Sequence, residues 1–582
     1  MQVTVLNEIP VNRPEISIAW NKLVSGMERP EIFLTYEWAM ASSQSFSQSF
    51  RPLLFLMYEG DQLCGVAALA TDPQRPRAAF FLTGSTADYS DVLSAPEARR
   101  KVLGALLEEI KKLEIRDLAL ANLPSDSATF RELPDAARAS GFHLGSRVAY
   151  ECGIVELGGE EQRQALICTV ARKEREKRGL KKLAGLGSVG LSHITSVEQL
   201  GTTLDVIFSA HVARFLASGR VSPLLHPDRR AFLKQLADIV AAAGWLKISQ
   251  LEVDGRAIAW NYGFRFGDSL FWYLPTFRIE HENASPGSCL LRLLVEESCA
   301  DRSLQRLDLG LGDESYKERF ANARRQTCYV ELSRSLTRHA TSAGRQLMVR
   351  TAARDQRIER SLRQVRDILR ASTTRVRETG LVPTMRHAAR RTAGSLLSRQ
   401  ELIFFEAPAQ TFVDGSASQL TALTWQHLSE TAMVNADDAP TLGYLMRCAK
   451  RLKQGAAGLV MRGPSGAVVH LLWVGNYQGF HVSEIDHVLS SPDATAAMIF
   501  DCWTPASHRG CGYYTTAIRL AAADLQRQGR KAWIFTATAN SSSLRGISKA
   551  GFVCRFSLVR RNQLGHSTVT RSDSARVLSD QA

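Results

Sequence analysis

Several features that define specialised classes of protein are missing from this sequence of 582 residues. No apolar run approaches the roughly 18 residues that a membrane-spanning helix needs. The N-terminal residues from Met1 to Glu8 carry neither the basic start nor the apolar stretch of a secretory signal. The ten cysteines include no C-x-x-C pair and no two histidines stand four residues apart, so the pattern predicts neither a metal site nor a disulfide framework. We therefore expect a cytoplasmic protein with reduced thiols.

Lysine is absent from residues 336–400, where arginine is abundant. Fifteen arginines stand against four acidic residues there, a local net charge of +11 in a chain whose net charge is +14. Apolar positions such as Leu347, Ile358 and Leu362 are interspersed among them, so we interpret the segment as a helical connector. Because guanidinium groups suit phosphate contacts, we expect peripheral association with an anionic membrane at its inner face. Aromatic residues do not alternate with the arginines, which makes nucleic acid the less favoured partner.

The remaining composition is that of a globular protein, with 45% apolar and 22% charged residues, and the length predicts roughly three or four domains. Leu53–Tyr58 and Leu63–Leu69 form a predicted hairpin, and Arg99–Leu113 is a predicted amphipathic helix. We expect an α/β (α+β) fold with mixed, mostly antiparallel sheets flanked by helices. The expected regions are residues 1–150, 151–335, the connector 336–400, a C-terminal α/β domain 401–565 and a disordered tail 566–582 rich in Ser, Asp and Thr.

The C-terminal region contains an ordered set of short motifs. The run Arg509-Gly510-Cys511-Gly512-Tyr513 precedes a predicted helix, Tyr514 to Gln528, and a predicted strand, Ala532 to Ala537; Asn540-Ser541-Ser542-Ser543 and Gly551-Phe552 follow. A glycine loop that opens a helix presents backbone N–H groups at a positive dipole end, which suits a pyrophosphate. Glycine is needed because no Cβ then intrudes on the phosphate. The order of these motifs resembles the acyl-CoA core of the GNAT N-acetyltransferase superfamily.

This resemblance implies a donor site for acetyl-CoA or another acyl-CoA. Arg509, Gly510, Cys511, Gly512 and Tyr513 would then surround the pyrophosphate, with Asn540 and Ser543 near the pantetheine arm. Cys511 is expected to fill space, since direct transfer needs no covalent step. Three carboxylates remain alternative candidates for a base: Glu484 and Asp486, on one face of a predicted strand Val482–His487, and Asp501, on the strand before the loop.

Two further clusters lie in the first 335 residues. The first comprises Phe33–Trp38 and Ala87-Asp88-Tyr89-Ser90-Asp91-Val92-Leu93; the second comprises Ser285-Pro286-Gly287-Ser288-Cys289-Leu290-Leu291 and Asp308–Lys317, with His211 and Arg214 on a probable helix between the two. Together they resemble the CelD/BcsL-type acyltransferases associated with bacterial cellulose and exopolysaccharide synthesis, relatives of the Fem-type peptidyltransferases within the GNAT superfamily. The resemblance covers residues 20–335 and implies two GNAT-like halves with an acyl-CoA donor. With the C-terminal domain, the whole chain would carry tandem GNAT-like acyl-CoA N-acyltransferase folds.

The second cluster supplies the other candidate site residues. Pro286 and Gly287 before a helix would let the backbone approach a CoA pyrophosphate, with Ser285 and Ser288 beside it. Asp308, Asp313 and Glu314 place carboxylates near a strand end, where a general base is useful, and Lys317 suits a phosphate or carboxylate. An alternative interpretation remains open, in which Asp313 caps a turn and Lys317 forms a surface salt bridge.

These observations predict a bacterial acyl-CoA-dependent acyltransferase. It would transfer an acyl group to an amine or hydroxyl, on a small-molecule or saccharide acceptor such as a polysaccharide or cell-envelope precursor, without a metal. A Fem-like aminoacyltransferase that uses aminoacyl-tRNA is the first alternative, because an arginine-rich segment suits RNA phosphates. A non-catalytic scaffold in an envelope-polysaccharide complex is the second alternative.

Overall fold

The structure is a computed structural model that describes residues 1–312, 314–337, 397–408, 420–563 and 566–573. The chain divides into two compact units: unit 1 comprises residues 1–215 and 221–351, and unit 2 comprises residues 216–220 and 352–582. Within the described ranges, every helix is too short or too polar to cross a membrane.

The first half of unit 1 alternates short helices with antiparallel strands. Its elements are β1 (Gln2–Leu6), α1 (Pro14–Ser25), α2 (Tyr36–Ser45), β2 (Arg51–Glu59), β3 (Gln62–Asp72), β4 (Arg75–Phe81), β5 (Leu93–Ser94), α3 (Arg99–Lys112), β6 (Asp117–Pro124), α4 (Ala128–Ala139) and β7 (His143–Glu156). The predicted hairpin is confirmed as β2–β3, whose turn places Gly60 at a φ of 59°. The predicted helix is confirmed as α3, which buries its apolar face against the sheet.

The second half of unit 1 repeats this plan with longer helices. Its elements are α5 (Glu160–Ala171), α6 (Glu174–Ala184), β8 (Val189–Ile194), α7 (Thr203–Ala217), α8 (Pro227–Ala242), β9 (Ile248–Val253), β10 (Arg256–Phe266), β11 (Ser269–Phe277), α9 (Pro286–Ala300), β12 (Arg306–Leu311), α10 (Ser315–Glu318) and β13 (Ala323–Ser333). Helix α9 begins with proline, which fits the first helical position because its missing N–H has no partner there. It is buried along its length among α5, α6 and the sheet.

One 13-stranded sheet runs through unit 1 in the order β1-β2-β3-β4-β6-β13-β7-β12-β11-β10-β9-β8, with β5 beside β3. Only β4–β6 and β11–β12 pair in parallel along this path; the other neighbouring pairs are antiparallel. Strand β13 comes from the end of the second half, yet it lies between β6 and β7. Strand β7, which contains the expected boundary at residue 150, pairs with both β13 and β12.

Unit 2 has a second sheet with its own helices. Its elements are β14 (Leu397–Glu406), β15 (Leu420–Ala422), α11 (Trp425–Val434), α12 (Ala439–Lys453), β16 (Ala457–Arg462), β17 (Val468–Asn476), β18 (His481–Val482), β19 (His487–Val488), β20 (Ala496–Trp503), α13 (Tyr513–Arg527), β21 (Lys531–Ala537), α14 (Ser541–Lys549), β22 (Val553–Gln563) and β23 (His566–Asp573). The sheet has eight strands in the order β15-β16-β17-β20-β21-β14-β22-β23. Only β20 and β21 pair in parallel along it, so the expected mixed and mostly antiparallel α/β architecture is confirmed in both units.

Three expectations for this region are corrected. Residues 397–400, placed in the connector, belong to β14, because they pair with β22; residues 338–396 of the connector lie outside the described residues. Residues 566–573, placed in the disordered tail, form β23, because they pair with β22 along their whole length. Residues 482–487 do not form one strand: a turn at residues 483–486 joins β18 to β19.

Candidate active site

The parallel strands of unit 2 separate at their carboxyl ends. β20 and β21 pair from Ala496 with Lys531 to Ile499 with Ile534, and a cleft of about 1130 Å³ lies beyond that last pair. The side chains of Phe500, Phe535 and the residues that follow line it. In α/β sheets ligands bind outside the carboxyl ends of parallel strands, so this cleft is the candidate binding site of unit 2.

The glycine loop forms one wall of this cleft. Gly510 and Gly512 both have a φ of 82°, a left-handed conformation that other residues rarely adopt, and Gly512 is the N-cap of α13. The helix therefore starts abruptly and directs the N–H groups of its first turn to the end of the cleft. Arg509 and Tyr513 also line the cleft, whereas Cys511 is exposed with its Sγ 3.9 Å from the Arg509 carbonyl.

Helix α14 forms the opposite wall, and two predicted residues shape its start. Asn540 caps it, accepting a hydrogen bond from the Ser543 N–H at 3.1 Å. The Ser543 hydroxyl lies 2.8 Å from the hydroxyl of Tyr514 on α13. The structure thus brings Asn540 and Ser543 to the cleft together with the glycine loop, and both also hold the local fold.

Two cationic residues of the same wall escaped the sequence analysis. Arg545 and Lys549 line the cleft from successive turns of α14. Their spacing of four residues was the available signal, since it places both on one face of a helix. With Arg509 across the cleft, they make this end suitable for phosphate groups.

A β-bulge shapes the middle of the cleft. Phe500 and Trp503 of β20 lie opposite Trp473 and Leu471 of β17. Two residues separate the first pair and only one separates the second, so β20 contains one extra residue. Asp501 occupies this insertion with a φ of 45°. Its carbonyl accepts a hydrogen bond from Tyr444 at 3.0 Å, and its carboxylate forms an ion pair with Arg451 of α12. The carboxylate that was a candidate base is therefore held by a guanidinium group.

The other two candidate bases of unit 2 take different positions. In the turn at residues 483–486, Ile485 is fully buried, and this directs its neighbours outward. Glu484 lines the cleft and is exposed. Asp486, with a φ of 50°, lies 3.0 Å from His481, which lowers the pKa of its carboxyl. The expectation that Glu484 and Asp486 share one strand face is wrong.

One thiol and one phenol at the cleft, those of Cys502 and Tyr514, stay protonated near neutral pH. Burial raises the pKa of Cys502 and of Tyr514 well above their ordinary values. A neutral buried thiol is a poor nucleophile, so Cys502 suits direct transfer rather than a covalent intermediate.

Unit 1 repeats the arrangement at β11 and β12. These parallel strands pair from Ser269 with Arg306 to Phe271 with Asp308 and then separate, and α9 begins close by. Ser285, the residue before α9, has a φ of 52°, and its hydroxyl accepts a hydrogen bond from Arg175 at 3.0 Å. Arg319 donates to the hydroxyl of Ser288 at 3.3 Å.

Two guanidinium groups thus stand at the N-terminus of a 15-residue helix, an arrangement that favours an anion. Arg175 lies in the first turn of α6, and Arg319 is also paired with the buried Glu176 at 2.9 Å. A Cβ on Gly287 would lie 3.4 Å from the Phe277 ring, an ordinary contact distance. Packing within the protein therefore does not require glycine at this position.

In the acidic cluster of the second half, Asp308 is buried and Glu314 is exposed. Asp308 is 3% exposed, accepts hydrogen bonds from the Tyr89 hydroxyl at 2.9 Å and the Gly310 N–H at 2.8 Å, and has a pKa raised by burial. Lys317 donates to the Leu311 carbonyl at 2.6 Å and pairs with Glu314 at 2.9 Å. Lys317 is only 5% exposed, whereas its partner Glu314 is exposed, so the ion pair lies at the boundary between the interior and the surface. Asp313 lies outside the described residues.

The two residues noted on α7 hold the fold beside this region. His211 is buried with its Nδ1 2.9 Å from the Ser222 hydroxyl. Arg214 donates to the Pro275 carbonyl at 3.2 Å, and its guanidinium lies 5.5 Å from the centre of the Phe277 ring. It therefore anchors the end of β11 shortly before α9 begins.

A largely buried chain of ionisable groups joins the first half to β13, and the local sequence does not reveal it. Arg325 of β13 pairs with Glu31 and with Asp126, and its guanidinium lies 4.6 Å from the centre of the Tyr89 ring. Burial raises the pKa of Glu31 to about 8, although Arg325 opposes this rise. Tyr89 then links the chain to Asp308. The only signal was the run Ala87–Leu93, which the resemblance singled out without assigning roles.

The corresponding helix start in the first half is closed. Ahead of α3, where a glycine loop would stand, the buried side chain of Arg99 donates to the Val92 carbonyl at 2.6 Å and to the Thr129 hydroxyl at 2.7 Å. Glu97 adds a negative charge to the same turn. This helix start therefore disfavours a phosphate, unlike those of α9 and α13.

Comparison with protein families connects part of the chain to known enzymes. A family described as acetyltransferase (GNAT) domain matches residues 171–318, the region that contains α9 and β12. The chain thus contains a GNAT acetyltransferase domain, which supports an acyltransferase and confirms the expected superfamily for this region. The CelD/BcsL type and a second, C-terminal GNAT domain stay predictions. Comparison with curated proteins gives no match.

Solved structures give remote similarities. FemX is 10% identical, with a TM-score of 0.41, over 59% of this chain and 99% of that one. A C-terminal DUF2156 domain from Agrobacterium fabrum is 12% identical, with a TM-score of 0.38, over 57% and 95%. A tandem GNAT protein from the clavulanic acid biosynthesis pathway is 12% identical, with a TM-score of 0.33, over 56% and 98%. Similarities this remote identify neither a donor nor an acceptor.

Proposed function

We propose that this protein transfers an acyl group from acyl-CoA to an amine or hydroxyl, with the cleft of unit 2 as a donor site. The observation that carries the proposal is the cleft between the separated ends of β20 and β21, closed at one end by the Gly510–Gly512 loop and the start of α13. Arg509, Arg545 and Lys549 supply positive charge for the phosphates of CoA. The groove between the strands suits the extended pantetheine arm.

The reaction in this cleft needs no covalent enzyme intermediate. The acceptor nitrogen or oxygen forms a bond to the thioester carbonyl carbon, the carbon–sulfur bond breaks, and the proton lost by the acceptor ends on the CoA sulfur. Holding donor and acceptor side by side supplies much of the acceleration. Glu484 is the exposed carboxylate at the cleft that is available as the base, since Asp501 is paired with Arg451.

We further propose a saccharide or cell-envelope precursor as the acceptor. The resemblance of the runs at residues 87–93 and 308–317 to CelD/BcsL-type enzymes supports this class. The cleft adds Phe480, Phe500 and Trp503, whose apolar side chains suit the faces of sugar rings, beside polar groups such as Ser483.

Titration calorimetry of the full chain with acetyl-CoA tests the donor site. Gly512→Asp places a negative charge at the helix start, and we expect it to remove one binding event or weaken it at least tenfold, about 1.4 kcal/mol. Gly529→Asp is the matched control: Gly529 also has a positive φ, 72°, but lies beyond the far end of α13. Parent-like binding by Gly512→Asp would exclude the unit 2 cleft.

An aminoacyl-tRNA donor is the second candidate. It is favoured by the net charge of +11 in residues 336–400, which suits the phosphates of RNA. A transfer assay that offers acetyl-CoA or an aminoacyl-tRNA as the donor distinguishes the two candidates, since only one of the two would donate its acyl group to the acceptor.

A further inference from the structure

A loop of the first half of unit 1 reaches the opening between β11 and β12 of the second half. This loop, residues 82–92, follows β4. The Tyr273 hydroxyl of β11 donates to the Thr86 carbonyl at 2.6 Å, and Arg229 of α8 donates to the Ser85 carbonyl at 2.9 Å. From its own side, Asn122 donates to the Ala87 carbonyl at 2.9 Å. Both halves therefore fix the loop in place.

Asp88 is the residue that this loop delivers to the strand opening. A Cβ built on Gly310 of β12 would lie 2.5 Å from the Asp88 Oδ2 and 3.2 Å from the Trp272 carbonyl oxygen of β11. The carboxylate thus lies where the two parallel strands have just separated. Gly310 has a φ of 69°, and the absence of its Cβ leaves room for this carboxylate.

The neighbouring carboxylate, Asp308, is already engaged. It is 3% exposed and bound by the Tyr89 hydroxyl and the Gly310 N–H, so it faces the interior. Asp88 is only half-buried. The Leu311 backbone N–H also contacts the Asp88 carboxylate, but Asp88 is the more exposed of the two, and Asp308 acts on it through space.

We propose that Asp88 is the general base of a second acyl-transfer site, at the β11–β12 opening, with the donor phosphates at the start of α9. The site is composite, because the first half supplies the base and the second half supplies the donor groove. In the step, Asp88 accepts the proton of the acceptor as its nitrogen or oxygen bonds to the thioester carbon. The carbon–sulfur bond breaks, and the CoA thiolate leaves and takes up a proton. This inference rests on the proposed use of acyl-CoA.

The charges around Asp88 suit a base that works near neutral pH. Burial and the charge of Asp308 on β12 raise the pKa of Asp88 to about 7. Lys317 on α10, the backbone N–H of Leu311 and Arg229 on α8 oppose this rise. Cys152 on β7 and Tyr273 on β11 stay neutral because burial raises the pKa of each to about 12. A base acts when deprotonated, so kcat/KM should rise with pH and level off above about pH 7.

The test uses the full chain carrying Gly512→Asp, so that turnover at unit 2 is suppressed. Release of free thiol from acetyl-CoA is followed with water and with glucosamine as acceptors, and acetyl-CoA affinity is measured by calorimetry. Asp88→Asn should lower thiol release at least tenfold and remove the pH dependence, with acetyl-CoA affinity unchanged. Asp88→Glu should restore part of the rate. Asp61→Asn, at an exposed turn of the same half, is the matched control and should behave as the parent.

A second readout needs no turnover. A carbodiimide labels protonated carboxyls, so Asp88 should be labelled near pH 7, as detected by peptide mass spectrometry, and acetyl-CoA should block the labelling. Labelling that acetyl-CoA leaves unchanged, or thiol release by Asp88→Asn at the parent rate, overturns the inference. If the parent releases no thiol, the labelling alone decides. Loss of all acetyl-CoA binding by the unsubstituted chain would instead overturn the proposed function.

Discussion

His470 of β17 shows how burial sets the charge of a single residue. The side chain is 1% exposed, its Nδ1 lies 2.8 Å from the Thr504 hydroxyl, and burial lowers its pKa to about 3. In the unfolded chain the pKa is that of an ordinary histidine, near 6.5, so between these values the unfolded state binds the extra proton. The stability that this residue contributes is complete above about pH 6.5 and is lost as the pH falls toward 3.

The expected outcome for His470→Asn is a weaker dependence of unfolding free energy on acid. Asparagine keeps an acceptor near the Thr504 hydroxyl but cannot take up the proton. Urea unfolding at several pH values between 7 and 4 measures the slope. His566→Asn, at an exposed position of β23, is the control and should leave the slope as in the parent. An unchanged slope in His470→Asn would contradict the assignment.

Local sequence predicted some site residues and missed others for a physical reason. Gly510 and Gly512 are recognisable because positive φ at a helix start is a local requirement. Asp88 is not, because what makes it chemically active is Asp308, brought near it only by folding: the Tyr89–Asp308 hydrogen bond spans 219 residues of sequence. Composition and spacing carry no information on such a contact.

At the scale of elements, the bulge in β20 combines backbone strain with an ion pair. Asp501→Asn tolerates the positive φ and loses only a half-exposed pair with Arg451, which costs about 0–1 kcal/mol. Asp501→Val adds a β-branched side chain where φ is 45°, at a further cost of about 1–3 kcal/mol. The free energy of unfolding, measured by urea titration, should therefore be highest for the parent, lower for Asp501→Asn and lowest for Asp501→Val. Equal values for the two variants would mean that the bulge stores no strain.

Elements were predicted well where periodicity was long and poorly where it was short. The apolar face of α3 repeats over four turns, and the β2–β3 hairpin contains a glycine turn, so both were recognisable. The alternation from Val482 to His487 spans too few residues to distinguish a strand from a tight hairpin. The positive φ of Asp486 belongs to the turn of the hairpin that the structure shows. Strand β23 was missed because its partner, β22, and not its own polarity, makes it a strand.

The whole molecule carries its positive charge unevenly. We expect the full chain to bind vesicles that contain anionic lipid, and to be released between low salt and about 150 mM salt, because exposed charges are screened over roughly 8–10 Å. Vesicle sedimentation, with tRNA as the competitor, measures this. Glutamine at Arg357, Arg360, Arg363, Arg366 and Arg370 should lower binding at least tenfold, since each basic residue contributes about 1 kcal/mol at such a surface.

Lysine at the same five positions is the matched control and should retain most of the binding to lipid. Displacement by tRNA at low concentration would favour nucleic acid as the partner. If the chain binds neither vesicles nor tRNA at low salt, residues 336–400 are a binding segment for neither anionic lipid nor RNA.

The position of β13 has a consequence for how the protein is made. A ribosome releases residues 1–156 long before residues 323–333, yet β13 lies between β6 and β7 and pairs with both. When the first half emerges, its sheet therefore lacks the strand between β6 and β7. These two strands keep unpaired edges while more than 160 further residues are translated. Chaperones that bind nascent chains would find these unpaired edges in this interval. A gene divided between the two halves would yield two products that each lack part of a sheet.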